Sequence, residues 1–226
     1  MADDRSVNGF DGTYETGVTP RGRAGPSWVP GPGLVAEFSG SINGNISFPT
    51  PLNLGANGYT VEAWINPTLS SLQNTSRILA SGRGLNGYGF GTAAGGELVF
   101  TSFGVKDYFT TTLTLLPNQW SYVGVVLDAS NDANFYVNGA LAEIVTGIDP
   151  TLAPSLNFSI GSRSPPAADE FFTGGLAGIS VYDTALTPTQ IQAQYLAATI
   201  PEPSSLTLLA FGMVSIAGCI RRRRVR

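Results

Sequence analysis

Short runs of β-branched and aromatic residues recur along residues 59–182, and glycine, proline, asparagine or aspartate bounds each run. The clearest run, 59–65 (YTVEAWI), stops at Asn66-Pro67, as a strand followed by a turn does. Many short strands with a turn about every 8–12 residues predict an all-β, antiparallel β-sandwich. The ten predicted strands are 59–65, 77–80, 88–90, 97–100, 108–111, 120–127, 135–137, 140–145, 156–160 and 176–182.

The segment after the strands, residues 186–196, has a helical pattern instead. Thr187 suits the N-cap and Pro188 suits the first turn. Ile191, Tyr195 and Leu196 recur at a spacing that places them on one face of a helix. We therefore predict a short C-terminal helix that closes the sandwich.

The last 26 residues, 201–226, have a pattern that belongs to no globular fold. Pro201-Glu202-Pro203 comes first and an uncharged apolar run over 204–220 follows. The chain then ends in a basic cluster, 221–226, which contains Arg221, Arg222, Arg223, Arg224 and Arg226. The run is at the short end of the roughly 17–25 residues that span a bilayer. We predict a single transmembrane helix over 204–220, with the arginines as its cytoplasmic anchor and the body of the chain across the membrane.

This order of Pro-Glu-Pro, apolar helix and terminal arginines resembles the PEP-CTERM sorting signal of Gram-negative bacteria that make exopolysaccharide. The resemblance implies that an exosortase-type membrane enzyme cuts near Pro201, Glu202 and Pro203. The expected route is an inner-membrane, single-pass precursor with a cytoplasmic C-terminus, and then the cell surface, the outer membrane or the extracellular matrix. The alternative is a plain tail anchor that is never cut.

The first nine residues, Met1 to Gly9, do not show the basic residues and the apolar stretch of about 7–15 residues that open a secretory signal peptide. Because the C-terminal signal makes sense only after export, we expect that the start is assigned too late or that the chain is a fragment. Residues 1–8 are predicted to be unstructured. The alternative is a vestigial tail on a cytoplasmic protein.

The remaining body, residues 9–198, has the length of one β-sandwich domain, followed by a sorting tail over 199–226. The chain has 28 Gly and 15 Pro but only 12% charged residues, a turn-rich composition typical of antiparallel β proteins. Five of its 12 basic residues and one of its 16 acids lie beyond residue 200, so the body has a formal charge of −8. This charge argues against nucleic acid and anionic lipid as partners.

The chemistry available to the chain is restricted further, because it has no histidine and its one cysteine, Cys219, lies in the apolar tail. Ser-His-Asp and Cys-His catalysis and histidine metal ligands are therefore excluded. Disulfides in the body are excluded as well.

Three phrases of the body resemble the LamG-like jelly-roll domains of the concanavalin A-like lectin and glucanase superfamily. They are Phe38-Ser39-Gly40 leading to 59–65, 120–128 followed by 135–139, and 172–186. The resemblance implies a jelly roll of two sheets. In the first phrase Ser39 replaces the usual acid, and in the last Ala177-Gly178 replaces an acidic pair.

Calcium is the cofactor that this resemblance suggests, held by carboxylate, amide and backbone oxygens. The candidate ligands are Asp128 and Asp132 in one loop, and Asp169 and Glu170 before the last predicted strand. The first loop also has the composition of a plain hairpin turn, because Asp and Asn there bond to their own backbone.

Glucanases on this fold carry their nucleophile and general acid in a Glu-x-Asp-x-Glu strand, which places alternate carboxylates on one face. The chain has no such triplet, and Glu62 and Glu97 are single acids in their strands, so we predict no enzymatic activity. We expect Trp64 and Trp120 in the core. Trp28, in a stretch rich in proline and glycine, is the candidate for an exposed ligand-binding residue.

The sequence as a whole predicts an exported, exosortase-sorted, non-enzymatic surface or matrix protein whose LamG-like domain binds carbohydrate, with exopolysaccharide as the expected ligand. The expected partners are the processing enzyme, a polysaccharide or surface glycan and, transiently, the inner membrane. One alternative is a protein-binding adhesin on the same scaffold. The other is a glycoside hydrolase relative, which a pair of carboxylates about 5–9.5 Å apart in a groove would indicate.

Overall fold

The computed structural model describes residues 2, 9–20, 35–54, 58–149, 157–164 and 169–199. These residues form 14 strands, two 3-10 helices and one α-helix. The strands are β1 (Thr13–Tyr14), β2 (Val18–Pro20), β3 (Ala36–Ser39), β4 (Ile46–Ser47), β5 (Tyr59–Pro67), β6 (Ser76–Arg83), β7 (Asn86–Thr92), β8 (Leu98–Ser102), β9 (Lys106–Phe109), β10 (Ser121–Leu127), β11 (Ala133–Val137), β12 (Ala140–Val145), β13 (Phe158–Ile160) and β14 (Thr173–Tyr182). The 3-10 helices are Ser70–Leu72 and Ala94–Gly96, and the α-helix is α1 (Pro188–Thr199).

The strands form two antiparallel sheets of seven strands each. The first sheet has the order β1-β4-β13-β6-β7-β8-β9, and the second has the order β12-β11-β10-β5-β14-β3-β2. Neighbours in a sheet are often distant in sequence, as where β14 lies between β5 and β3. The predicted all-β sandwich is confirmed, and the ten predicted strands correspond to β5 through β14.

The main core fills the space between the two sheets. Alternation along β5 turns Val61 and Ile65 toward it, and both are fully buried. Phe90 of the first sheet and Phe135 of the second meet across the core, with ring centroids 6.5 Å apart. Each such buried side chain stabilises the fold by about 1.5–3 kcal/mol.

A second apolar cluster lies on the outer face of the second sheet, where α1 covers it. Trp64 stacks on Tyr195 of the helix with ring centroids 5.7 Å apart, and Tyr122 lies 5.3 Å from Trp64. Trp120 packs at the margin of this cluster, and Ile191 is fully buried in it. Because β5 is covered on both faces, all nine of its residues are buried.

The helix begins and ends close to its predicted position. The Thr187 hydroxyl accepts a hydrogen bond from the backbone N–H of Gln190, and the Gln190 side chain accepts one from the backbone N–H of Thr187, which is a capping box. Ile191 and Tyr195 face the sheet as predicted. The prediction was wrong for Leu196, which is 43% exposed because it lies past the contact edge of the helix.

The turn between β11 and β12 is the tight hairpin that Asn138-Gly139 favours. Both residues have positive φ, 51° and 78°, as a two-residue turn of the primed type requires. A Cβ on Gly139 would also lie 2.9 Å from the Cβ of Tyr195. Glycine is therefore needed here both for the backbone and for the approach of α1.

The first four strands were not predicted from the sequence. They have two to four residues each and lie at or next to one edge of their sheets. In residues 1–8 only Ala2 is described, and its backbone exchanges hydrogen bonds of 2.7 and 2.9 Å with Gly12.

Three predictions fall outside the described residues. These are Trp28, the sorting motif Pro201-Glu202-Pro203, and the transmembrane helix 204–220 with its arginines. The longest helix of the described residues, α1, has 12 residues, and none of the described helices could span a bilayer.

Candidate functional site

One cation lies buried on the outer face of the first sheet. Arg77 of β6 is 1% exposed and reaches over Gly89 of β7 toward Thr101 and Asp107 of the next two strands. The Arg77 side chain and the Phe103 ring both pack over Gly89, because an added Cβ there would lie 3.4 Å from the Arg77 side chain and 3.2 Å from the ring. The guanidinium lies 5.3 Å from the ring centre of Phe103.

Glu170 is the closest carboxylate partner of Arg77. Its carboxylate accepts a hydrogen bond from Nε of Arg77, and its carbonyl oxygen accepts one of 2.8 Å from the Arg77 backbone N–H. Glu170 has a φ of 52°, which costs a non-glycine residue about 1–3 kcal/mol. Two hydrogen bonds to one buried residue therefore hold a strained backbone in place.

The neighbouring Asp169 belongs to a second, more exposed ion pair. Its carboxylate binds Nε and Nη2 of Arg163, and the Arg163 backbone N–H donates to the Asp169 carbonyl at 3.1 Å. The hydrogen bond to Asp169 is the main cause that raises the pKa of Arg163. Asp169 and Glu170, two of the four acids predicted as calcium ligands, are thus both held by arginines.

A shallow polar depression adjoins this network, where the segment between β5 and β6 meets the start of β14. It has a volume of about 400 Å³ and is lined by Gly40, Ser70, Asn74, Thr75, Ser76, Glu170, Phe171 and Thr173. Ser70 and Asn74 are exposed, and Thr75 is half-buried. The half-buried Phe171 belongs to neither apolar cluster of the described residues. The depression therefore offers hydroxyl and amide groups beside an aromatic side chain.

A buried carboxyl lies on the opposite face of the molecule, under α1. Glu62 is 3% exposed and accepts hydrogen bonds from the hydroxyls of Tyr122 and, at 3.3 Å, Tyr182. Gln194 of α1 donates to the Tyr182 hydroxyl at 3.1 Å. Burial raises the pKa of Glu62. The hydrogen bonds from the two tyrosines act in the opposite direction but are weaker, so the pKa is raised overall. This geometry fits a structural role beneath the helix.

Replacing Glu62 by glutamine should make the stability of the protein less dependent on pH. The folded pKa is above the unfolded one, so the carboxyl's contribution is complete below the unfolded pKa and is lost as the pH rises through the folded pKa. Glutamine has nearly the same shape and cannot ionise. Its one side-chain oxygen can accept from one of the two tyrosines, and its NH2 group must then donate to the hydroxyl oxygen of the other. The difference in Tm, variant minus wild type, is therefore expected to increase from about pH 4 to about pH 8.

Glu143→Gln is the matched control with the opposite sign. Desolvation raises the pKa of Glu143, but hydrogen bonds from Thr112 and Thr111 outweigh it and lower the pKa overall. This contribution is present above the unfolded pKa and is lost as the pH falls. A Tm difference with the same pH trend in both variants would contradict the assignment for Glu62.

The other predicted calcium loop has the geometry of a hairpin turn. The Asp128 carboxylate accepts hydrogen bonds from the backbone N–H groups of Ser130 and Asp132, at 2.8 and 3.1 Å, and from the Asn134 amide at 3.0 Å. Desolvation raises the pKa of Asp128, but these bonds outweigh it and lower the pKa. Asp132 itself accepts from the Gly147 N–H at 3.1 Å.

Calcium binding stays a prediction. Within the described parts of the chain, no group of three or more Asp, Glu, His or Cys residues could hold a metal ion. The structure places Asp128 and Asp132 in one hairpin and brings Glu170 together with Arg77 instead.

Comparison with protein families identifies the sandwich. The model of a family described as the concanavalin A-like lectin/glucanases superfamily matches residues 39–192, more than half of the chain. The chain belongs to this superfamily. A second model, the PEP-CTERM protein-sorting motif, matches residues 199–224 of this superfamily member. The motif indicates a secreted surface protein that an exosortase processes. Among curated proteins no match was found.

Solved structures share the superfamily fold at low sequence identity. The binding domain of botulinum neurotoxin serotype G has a TM-score of 0.65 at 16% identity, over 86% of this chain and 48% of the toxin chain. A structure of botulinum neurotoxin type C, whose cell entry depends on interaction with two ganglioside molecules, has a TM-score of 0.65 at 13% identity, over 88% and 49%. The heptameric SAP-like pentraxin of Limulus polyphemus has a TM-score of 0.57 at 18% identity, over 70% and 79%. The chain spans about half the length of the toxin chains it matches.

Sequence reasoning did not find the depression. Asn74-Thr75-Ser76 has the form of an N-glycosylation acceptor, which does not indicate a ligand site, and a long stretch of sequence separates it from Phe171. Arg77 did carry a signal, because it is a lone charge in the otherwise uncharged run Ser76 to Gly82. A charge in a predicted buried strand indicates that an acid elsewhere in the chain pairs with it.

Proposed function

We propose that this protein is an exosortase-sorted, non-enzymatic surface or matrix protein that binds carbohydrate at the depression beside Glu170. The observation that carries the proposal is the combination of a half-buried Phe171, outside both apolar clusters, with the polar side chains of Asn74 and Thr75. An aromatic ring stacks on the apolar face of a sugar, while amide and hydroxyl groups bond its hydroxyls. The expected natural ligand is exopolysaccharide.

A hydrolase is the less supported alternative. Among the residues that line the depression, Glu170 is the one carboxylic acid, and its carboxylate is bound to Arg77. Glycoside hydrolysis uses two carboxyl groups about 5–9.5 Å apart, one of which must be able to give up a proton. The similar toxin and pentraxin structures share the fold and support a binding scaffold as well.

The C-terminal tail supplies the route to the surface in this proposal. Arg221 to Arg224 and Arg226 hold the end of an inner-membrane precursor in the cytoplasm, and the body lies across the membrane. Cutting near Pro201, Glu202 and Pro203 then frees the body for the cell surface, the outer membrane or the matrix.

Phe171→Ala is expected to weaken glycan binding by about tenfold or more, because it removes the stacking surface. The full-length chain, in mild detergent, is first screened on a glycan array. Its affinity is then measured by titration with purified exopolysaccharide and with the glycans that the array identifies. Phe109→Ala is the matched control. Phe109 is 37% exposed and lies on β9, three strands from Ser76 in the same sheet.

Equal affinities of wild type and Phe171→Ala would contradict the site. Binding of a protein partner, with no affinity for any glycan, would favour the adhesin alternative instead.

A further inference from the structure

We infer that the depression selects uncharged hexopyranose residues and rejects uronic acids and other anionic sugars. This inference rests on the proposed function, because it names the class of sugar that the same site takes.

The described cations offer no free positive charge to an anionic sugar in the depression. Arg77 is paired with Glu170 and Asp107, and Arg163 is paired with Asp169. The other two described cations are Arg83 and Lys106. Arg83 is at the far end of β6, about 20 Å from Ser76 along the strand. Lys106 is at the start of β9, three strands from β6.

The ion-pair network beside the depression carries a net negative charge. Three carboxylates, those of Asp107, Asp169 and Glu170, face two arginines, Arg77 and Arg163, which leaves one negative charge uncompensated. The body as a whole carries a formal charge of −8. A carboxylate sugar would give up part of its hydration shell next to another carboxylate, with no unpaired cation among the described lining residues to compensate. A neutral pyranose meets no such cost.

The neutral groups of the depression match the groups of a neutral sugar. The Asn74 side chain offers two donors and one acceptor, and the hydroxyls of Thr75 and Ser70 offer both functions. Among the described residues, no hydrogen bond occupies the side chains of Asn74, Thr75 or Ser70, so all three are available to a ligand. Phe171 supplies the apolar surface on which the C–H face of a pyranose packs.

The test compares neutral polysaccharides (dextran, laminarin, galactomannan) with polyuronates (alginate, polygalacturonate) as ligands of the full-length chain in mild detergent. We expect the wild type to bind one or more neutral polysaccharides and to bind polyuronates at least about tenfold more weakly. We also expect the neutral affinity to change by less than about twofold between low and high salt, since no ion pair forms.

Asn74→Lys supplies the missing cation and provides a gain of binding. It is expected to raise the affinity for polyuronates by about three- to tenfold. This is the size of the attraction between one lysine ammonium and one sugar carboxylate in a water-rich environment. Gln73→Lys is the matched control, because Gln73 is exposed, adjacent in sequence and absent from the lining. Thr75→Lys repeats the test at a second lining residue, and thermal unfolding of each variant confirms that it folds.

The outcomes separate the inference from the proposed function. Neutral binding with a polyuronate gain in Asn74→Lys and not in Gln73→Lys supports both. Polyuronate binding by the wild type as tight as neutral binding, or an equal gain in both lysine variants, overturns the inference and leaves carbohydrate binding standing. Absence of binding to every glycan overturns the proposed function, and the inference with it.

Discussion

Glu170→Gln is expected to lower the free energy of unfolding by about 3 kcal/mol, near the lower end of the cost of removing one partner from a buried ion pair. Arg77 is 1% exposed and would keep its charge without its closest carboxylate. Thr101 and Asp107, the latter at 3.6 Å, remain as partners and limit the loss. Denaturant unfolding at neutral pH measures the change.

Asp169→Asn, at the adjacent position, is the matched control. Its ion pair is far more exposed, with Asp169 at 49% and Arg163 at 26% side-chain exposure. Surface pairs contribute about 0–1 kcal/mol, so this variant is expected to lose less than about 1 kcal/mol. Equal losses in the two variants would show that the buried network does not carry the stability assigned to it.

The second large effect concerns sorting, and it is all or none. Replacing Pro201, Glu202 and Pro203 together by alanine is expected to abolish cutting, so that all of the protein stays in the inner membrane as precursor. Proline disfavours helix and restricts the residue before it to extended conformations, whereas alanine favours helix. The substitution is therefore expected to remove both the side chains and the backbone preference that the processing enzyme recognises. Immunoblots of inner-membrane, outer-membrane and medium fractions from an exosortase-containing host measure the distribution.

The control for this variant is Ser204→Ala with Ser205→Ala, two substitutions directly after the motif. They leave the Pro-Glu-Pro sequence and the charge of the tail unchanged. Processing of the alanine-substituted motif at the wild-type level would show that recognition depends on the apolar run and the arginines alone.

The sequence predicted the central strands well because their patterns are long. Strands β5 and β10, with nine and seven residues, have enough alternating or apolar positions to be recognised. Strands β1 and β4 have two residues each, which are too few to show an alternation of apolar and polar positions. They are strands only because they pair with neighbouring strands. The same limit explains Leu196, whose exposure depends on where α1 crosses the sheet.

The site was less accessible to prediction because it depends on distant pairs. From the sequence alone, Asp169 and Glu170 could bind either a calcium ion or an arginine. Which of the two Glu170 binds depends on Arg77, which is 93 positions away in the chain. The Asp128 loop could be interpreted locally, and its predicted hairpin geometry is present. The depression forms only when β14 packs beside β5, which no local pattern indicates.

Exosortase sorting is tested most directly by the intact mass of the mature protein, purified from an exosortase-containing host that expresses the gene with its native upstream region. We expect a chain that ends near Pro201-Glu202-Pro203 and is found in the surface or medium fraction. A full-length chain with an intact apolar run and arginine cluster, held in the inner membrane, would contradict this expectation and make the protein an ordinary anchored domain.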